Sequence, residues 1–185
     1  MDESELASLF TRLETDDRGA LKYLYLYARG PLMRFFWQLS RRPDRIDDLI
    51  QGTFLKLWQY RGRFRGRGLA RGYIYRIAMN EWHNQLIRDG RQQEIQEATM
   101  QKASFESVPP TNETVESEEL RRRVRDAIEE LPAAQREAFV LHRFEGLSCR
   151  EIAEILGRSQ KTVESRLRLA LQKLTYKLSI AEGLA

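Results

Sequence analysis

The chain has 185 residues, 42% of them hydrophobic and 31% charged, with a single cysteine; this excludes an intrachain disulfide framework and fits a reducing compartment. Its formal net charge is only +4 at a pI near 9.3, so a polyanionic partner must be met by where the bases lie rather than by their total. No basic segment with an apolar core opens the chain and no apolar run approaches the roughly 20 residues that span a bilayer, which predicts a cytoplasmic protein of one domain or two small ones.

Leu6, Leu9, Phe10 and Leu13 predict a first short amphipathic helix. A second is expected over about residues 17–28, interrupted by Gly30 and Pro31, because proline disfavours helix at the residue before it. Helix resumes with Leu32, Phe35, Phe36 and Leu39. Pro43 and Asp44 open another, with Ile46, Leu49, Ile50, Thr53, Leu57 and Trp58 on its inner stripe. Phe35, Phe36 and Trp37 diverge by about 100° each. With Trp58 they exceed what one stripe can bury, so one of the four is expected to be exposed. No stretch alternates with period two for long enough to make a strand, and the fold class is all-α.

Residues 61–91 hold eight arginines against two acids, Glu81 and Asp89, and interleave Phe64, Tyr73, Tyr75 and Trp82. Bases neutralise phosphate and aromatic faces stack on unpaired bases, which suits single-stranded nucleic acid. The helix that follows, over about residues 69–88, carries Tyr73, Ile74, Ile77 and Ala78 as its buried stripe and leaves Arg76 and Asn80 nearer the surface. From Gln92 to Glu119 the balance reverses to seven acids against Lys102, around Pro109 and Pro110. Sparse, unpatterned apolar residues make this an acidic linker between two domains. The expected organisation is a first domain over 1–91, a linker over 92–116 and a second domain over 117–185.

In the second domain Leu120, Val124, Ala127, Ile128 and Leu131 form a helical stripe ended by Pro132, and a further helix carries Ala138, Val140 and Leu141. Two amphipathic helices then meet across a tight turn. Ser148 and Glu151 make a capping box, with Ile152, Ala153 and Leu156 on the first inner face, and Gly157 stops the helix. Ser159 caps the second, whose Val163, Leu167, Ala170, Leu171 and Leu174 share one face. Lys161, Ser165, Arg168 and Gln172 point the opposite way. This pattern is a helix-turn-helix, whose second helix reads duplex DNA.

His83 and His142 stand apart from any cysteine or carboxylate cluster, so no metal site is expected. No phosphate-cradling loop or activated nucleophile is present, and neither a cofactor nor a small-molecule substrate is called for. Cys149 reads as a packing residue. The chain is not expected to be an enzyme.

Two nucleic-acid-facing helical modules on one tether are what a promoter-opening factor needs. The run Asp47-Asp48-Leu49-Ile50-Gln51-Gly52-Thr53-Phe54-Leu55-Lys56-Leu57-Trp58 resembles region 2.2 of the sigma-70 family. Tyr73-Ile74-Tyr75-Arg76-Ile77-Ala78-Met79-Asn80 resembles its regions 2.3 to 2.4. Leu131-Pro132-Ala133-Ala134-Gln135-Arg136-Glu137, Gly146-Leu147-Ser148 and Thr162-Val163-Glu164-Ser165-Arg166-Leu167 look like region 4. With only regions 2 and 4, the layout is similar to the extracytoplasmic-function branch of bacterial sigma factors. The resemblance implies that Asp47, Asp48, Gln51, Phe54 and Leu55 meet the coiled coil of the largest subunit of core RNA polymerase. It implies a −10 set of Arg67, Tyr73, Arg76, Asn80 and Asn84, and a −35 set of Lys161, Thr162, Ser165, Arg166 and Arg168. It also implies an anti-sigma partner. Four positions depart from the family pattern: Gly52 where an acid is common, Tyr73 for tryptophan, Asn84 at an often acidic position and Glu164 for a frequent base. These imply a weaker core contact or a locally softer helix, altered −10 preference and one phosphate contact fewer at −35. The rival resemblance, through Lys161-Thr162-Val163-Glu164 and Lys173-Leu174, is to the output domain of LuxR-type regulators. A third reading, an RNA-binding protein, rests on the arginine-rich stretch alone.

Overall fold

The computed structural model describes residues 1–40, 43–64, 70–96 and 115–181. The described residues form helices α1 (Glu3–Glu14), α2 (Arg18–Leu39), α3 (Ile46–Gln59), α4 (Ala70–Gln96), α5 (Val115–Glu129), α6 (Ala133–Arg143), α7 (Cys149–Leu156) and α8 (Gln160–Ala181), with single 3-10 turns at Pro43–Arg45 and Arg61–Arg63. No strand occurs among them. The two-module, all-α architecture expected from periodicity is the observed one.

Local chemistry starts the first helices. Asp2 caps α1 through a capping box in which the Glu5 N–H donates to Asp2 and the Asp2 N–H donates to Glu5, both at 2.8 Å. Asp17 caps α2 by accepting from the N–H groups of Gly19 and Ala20, and the Arg12 guanidinium against it holds its carboxyl below the usual carboxylate range.

The expected break at Gly30 and Pro31 does not occur, and α2 runs through Pro31. Ala20, Leu24 and Ala28 before the proline and Leu32, Phe35, Phe36 and Leu39 after it stay in one phase and are all buried. A proline inside a helix costs about 3 kcal/mol, whereas each large apolar side chain buried beyond it returns about 1.5–3 kcal/mol. Burial therefore decides the helix. Phe35 and Phe36 lie wholly inside, and Trp37 and Trp58 are half-buried against the same core. The expectation that one of these four rings stands exposed is not met, because α1, α3, α5 and α6 cover α2 on more than one side.

In the first module α3 packs along α4, and α1 closes the bottom. There Phe10, Phe64 and Tyr73 stack mutually, with ring centroids 4.6 to 5.4 Å apart. The helix of α4 continues to Gln96, into the first residues assigned to the linker, and α5 begins at Val115, ahead of the expected start of the second domain. The remainder of the expected linker lies outside the described residues.

In the second module α6, α7 and α8 pack around Ala138, Val140, Leu141, Ile152, Val163 and Ala170. Leu171, placed on the inner stripe by spacing, is 53% exposed; α5, α6 and α7 cover the stripe through Val163, Leu167, Ala170 and Leu174, and Leu171 falls beyond its edge. The two modules meet at a seam where α4 lies against α7 and α2 against α5 and α6.

Candidate nucleic-acid interface

The helix-turn-helix is built as its capping signals require. Ser148 accepts from the Glu151 N–H at 3.3 Å and its own N–H donates to the Glu151 carboxylate at 2.8 Å. Gly157 ends α7 at φ +62°, a left-handed conformation that favours glycine. Ser159 accepts from the Thr162 N–H at 3.1 Å and its hydroxyl meets the Thr162 hydroxyl at 2.8 Å. The Thr162 hydroxyl is therefore engaged in the cap. Lys161, Ser165 and Arg168 are exposed along α8, Arg166 is half-buried at the rim, and Glu164 accepts from the Gln160 amide at 2.8 Å. A buried apolar face holds this helix, and its polar face is open to a duplex groove.

In the first module Arg76, Asn80 and Asn84 recur every fourth residue and form an exposed stripe on α4. The Arg76 guanidinium lies over the Tyr73 ring, 5.0 Å from its centroid. Tyr73 itself is 8% exposed, and its hydroxyl donates to the Tyr60 carbonyl at 3.3 Å. Burial raises its pKa above the usual tyrosine value. Phe64, Tyr75 and Trp82 are likewise buried. The aromatic residues interleaved among the arginines thus serve the core in this structure and present no open face to an unpaired base; Phe10 and Phe64 cover Tyr73 directly. Arg67 lies outside the described residues.

Asp48, Gln51 and Leu55 are exposed at helical spacing on α3, and Asp47, also exposed, faces Arg29 at 3.8 Å. Asp48, Gln51 and Leu55 line a groove of about 750 Å³ walled by Tyr25, Phe54 and Trp58. Phe54 is mostly buried, with its ring 4.9 Å from that of Tyr25, so it forms the wall of this face rather than projecting from it. An apolar groove rimmed by Asp48, Gln51 and Arg18 suits the side of a partner helix.

Sequence reasoning missed the polar contacts across the seam. His83, read as isolated, has its Nε2 2.9 Å from Oε1 of Glu137 in α6; that hydrogen bond raises its pKa, against the opposing effect of burial. The Tyr75 hydroxyl donates to Glu145, whose pKa burial pushes up. These partners stand 54 and 70 residues apart, beyond any local pattern. His142 Nδ1 lies 2.8 Å from the Leu147 carbonyl. No group of three or more metal-ligating side chains occurs among the described residues. No helix among them is long and apolar enough to cross a membrane.

The family descriptions Sigma-70 region 2 and Sigma-70, region 4 match residues 24–92 and 121–174. The chain is similar to the ECF RNA polymerase sigma-E factor of Haemophilus influenzae, 30% identical over 179 residues covering 92% of this chain and 94% of that one. It is 28% identical over 166 residues to the RNA polymerase sigma-H factor of Pseudomonas aeruginosa, covering 86% of each chain. Among solved structures it is similar to the sigma factor RpoE in complex with the anti-sigma factor NepR from Bartonella quintana. That match has a TM-score of 0.73 and 25% identity, covering 86% of this chain and 96% of that one. A LuxR-type architecture is excluded, since residues 24–92, where such a regulator would carry a receiver or ligand-binding domain, match Sigma-70 region 2 and contain no strand among those described.

Proposed function

The chain belongs to the sigma-70 family of RNA polymerase sigma factors, in its extracytoplasmic-function branch, and from that premise we propose how its own residues divide the work. As a sigma factor it binds core RNA polymerase, brings it to promoters and helps open the DNA; it is not an enzyme. Asp48, Gln51 and Leu55, with Asp47 at the edge and Phe54 as groove wall, receive the coiled coil of the largest polymerase subunit. Arg76, Asn80 and Asn84 face the −10 element, joined by Arg67 and, where the Phe10–Phe64 cover opens, Tyr73. Lys161, Ser165, Arg166 and Arg168 face the −35 element, and Thr162 sets the start of that helix. An anti-sigma factor holds the chain silent, and the site of action is the cytoplasm, where core polymerase is found.

The observation that carries this reading is the disposition of three exposed faces, a polar one on each of α4 and α8 and a polar-rimmed apolar one on α3, each on a helix whose opposite side is core. Such faces are fixed by packing and free to be read. The test is run-off transcription with purified core polymerase, with and without the chain. Asp48→Ala with Gln51→Ala is expected to weaken core binding while helix content and −35 duplex binding by the second module persist. A double variant that binds core as well as the wild type refutes the assignment of the α3 face.

A further inference from the structure

Glu81 is an acid in the middle of α4 and only 5% exposed. A buried carboxylate is tolerated where cations and space are supplied for it. The space comes from α3: a Cβ at Gly52 would stand 3.0 Å from both Cδ and Oε1 of Glu81, a tight contact that the carboxylate would have to yield to by a few tenths of an ångström. The cations come from two helices. Lys56 Nζ, one turn beyond Gly52 on α3, pairs with Glu81 Oε2, and Arg88 Nη1 on α4 lies 3.6 Å from Oε1.

These two cations stand at different faces. Lys56 stands one turn from Gly52, which lines the groove together with Asp48 and Gln51. Arg88 continues the stripe of Arg76, Asn80 and Asn84 by one more turn, and its side chain is 62% exposed. One buried carboxylate therefore touches a cation at the edge of each face.

We infer that Glu81 is a positioning residue: seated in the gap that Gly52 leaves in α3, it holds Lys56 at the rim of the polymerase face and Arg88 at the end of the promoter stripe. This sets the two faces relative to one another through a single ion triad. The inference rests on the division of faces given above. Arg88 held by Glu81 meets DNA in one orientation; released, it remains a cation that attracts any phosphate. Loss of Glu81 thus lowers discrimination between promoter sequences more than it lowers affinity for DNA as such.

The test uses the full chain with core polymerase, and fork-junction DNA carrying either the preferred −10 sequence or one with a single base replaced. Three quantities are measured: core affinity, the ratio of the two fork affinities, and the thermal midpoint. Glu81→Gln is expected to lower core affinity and to reduce the fork ratio roughly tenfold, the scale of one charge-assisted hydrogen bond, with −35 duplex binding unchanged as the check on folding. Gly52→Asp combined with Glu81→Ala returns an acid to α3 one turn from Lys56. It is expected to restore core affinity to within about twofold of wild type while the fork ratio stays low, because Arg88 remains unheld. Two outcomes overturn the inference. One is a Glu81→Gln variant with both core affinity and fork ratio unchanged. The other is a double variant that regains the fork ratio along with core affinity, which would reduce Glu81 to a filler of the core. A wild-type chain that fails to bind core at all refutes the functional reading itself and is recognised before any variant is made.

Discussion

At the scale of single residues, what a side chain can do depends on which neighbours hold it. Arg168 stands free on the exposed face of α8, whereas Arg166 is half-buried at its rim. A base contact and a phosphate contact fail differently: the first costs ~1–3 kcal/mol at one position and relaxes specificity there, and the second weakens all sites alike. Arg168→Ala is expected to behave in the first way and Arg166→Ala in the second, and affinities for a panel of −35 base substitutions separate the two. A uniform loss in both variants refutes the division. Tyr73 shows the opposite constraint. Its position and type suit base stacking, yet Phe10 and Phe64 take its ring into the core.

At the scale of elements, caps and stripes set where helices start and stop. The turn of the helix-turn-helix depends on Gly157 at φ +62°. There a Cβ meets no atom within 4 Å, so the cost of Gly157→Ala is backbone strain alone, about 1 kcal/mol. Ser148→Ala removes a capping box and is expected to cost ~1 kcal/mol as well. Each should lower the melting temperature by a few degrees (~4–8 °C per kcal/mol for a small domain), followed by circular dichroism on the full chain. The two losses should add, because the caps lie at opposite ends of α7 and share no partner. An unchanged melting temperature for Gly157→Ala would mean that the turn relaxes to another conformation. The helix α2 marks the limit of local rules, since Pro31 is overridden by the phase of the apolar residues on either side.

At the scale of the molecule, the seam between the modules binds protons. Closing it brings His83 to Glu137, whose hydrogen bond raises the His83 pKa, and buries Glu145, which raises its pKa despite the Tyr75 hydrogen bond and the nearby Arg71 and Arg34. A raised pKa on closure means that protonation favours the closed form. The His83 contribution is complete below the open-state value and is lost as pH rises through the closed-state value. Energy transfer between labels at Ser8 and Tyr176 is therefore expected to be highest at about pH 5.5 and to fall toward pH 8. His83→Gln should remove the part of that change that His83 carries. A wild-type signal constant across the range refutes the linkage.

The sequence by itself determined the elements: the apolar periods, Ser148 and Ser159 as caps, Gly157 as a stop, and an acidic break between two helical modules. These depend on interactions within a turn or two of helix, so they are written in adjacent residues. The polar faces of α3, α4 and α8 were legible for the same reason, as the sides left over once the apolar stripe is drawn. Only the tertiary structure decided that α2 continues through Pro31, that Tyr73, Phe64 and Trp82 are core, and that Leu171 falls outside it. It also decided that Glu81 finds Lys56 across the gap at Gly52, and that His83 and Tyr75 meet acids of the other module. Each of those outcomes turns on which faces of sequence-distant helices come together, and burial there is worth more than the local preference it overrides.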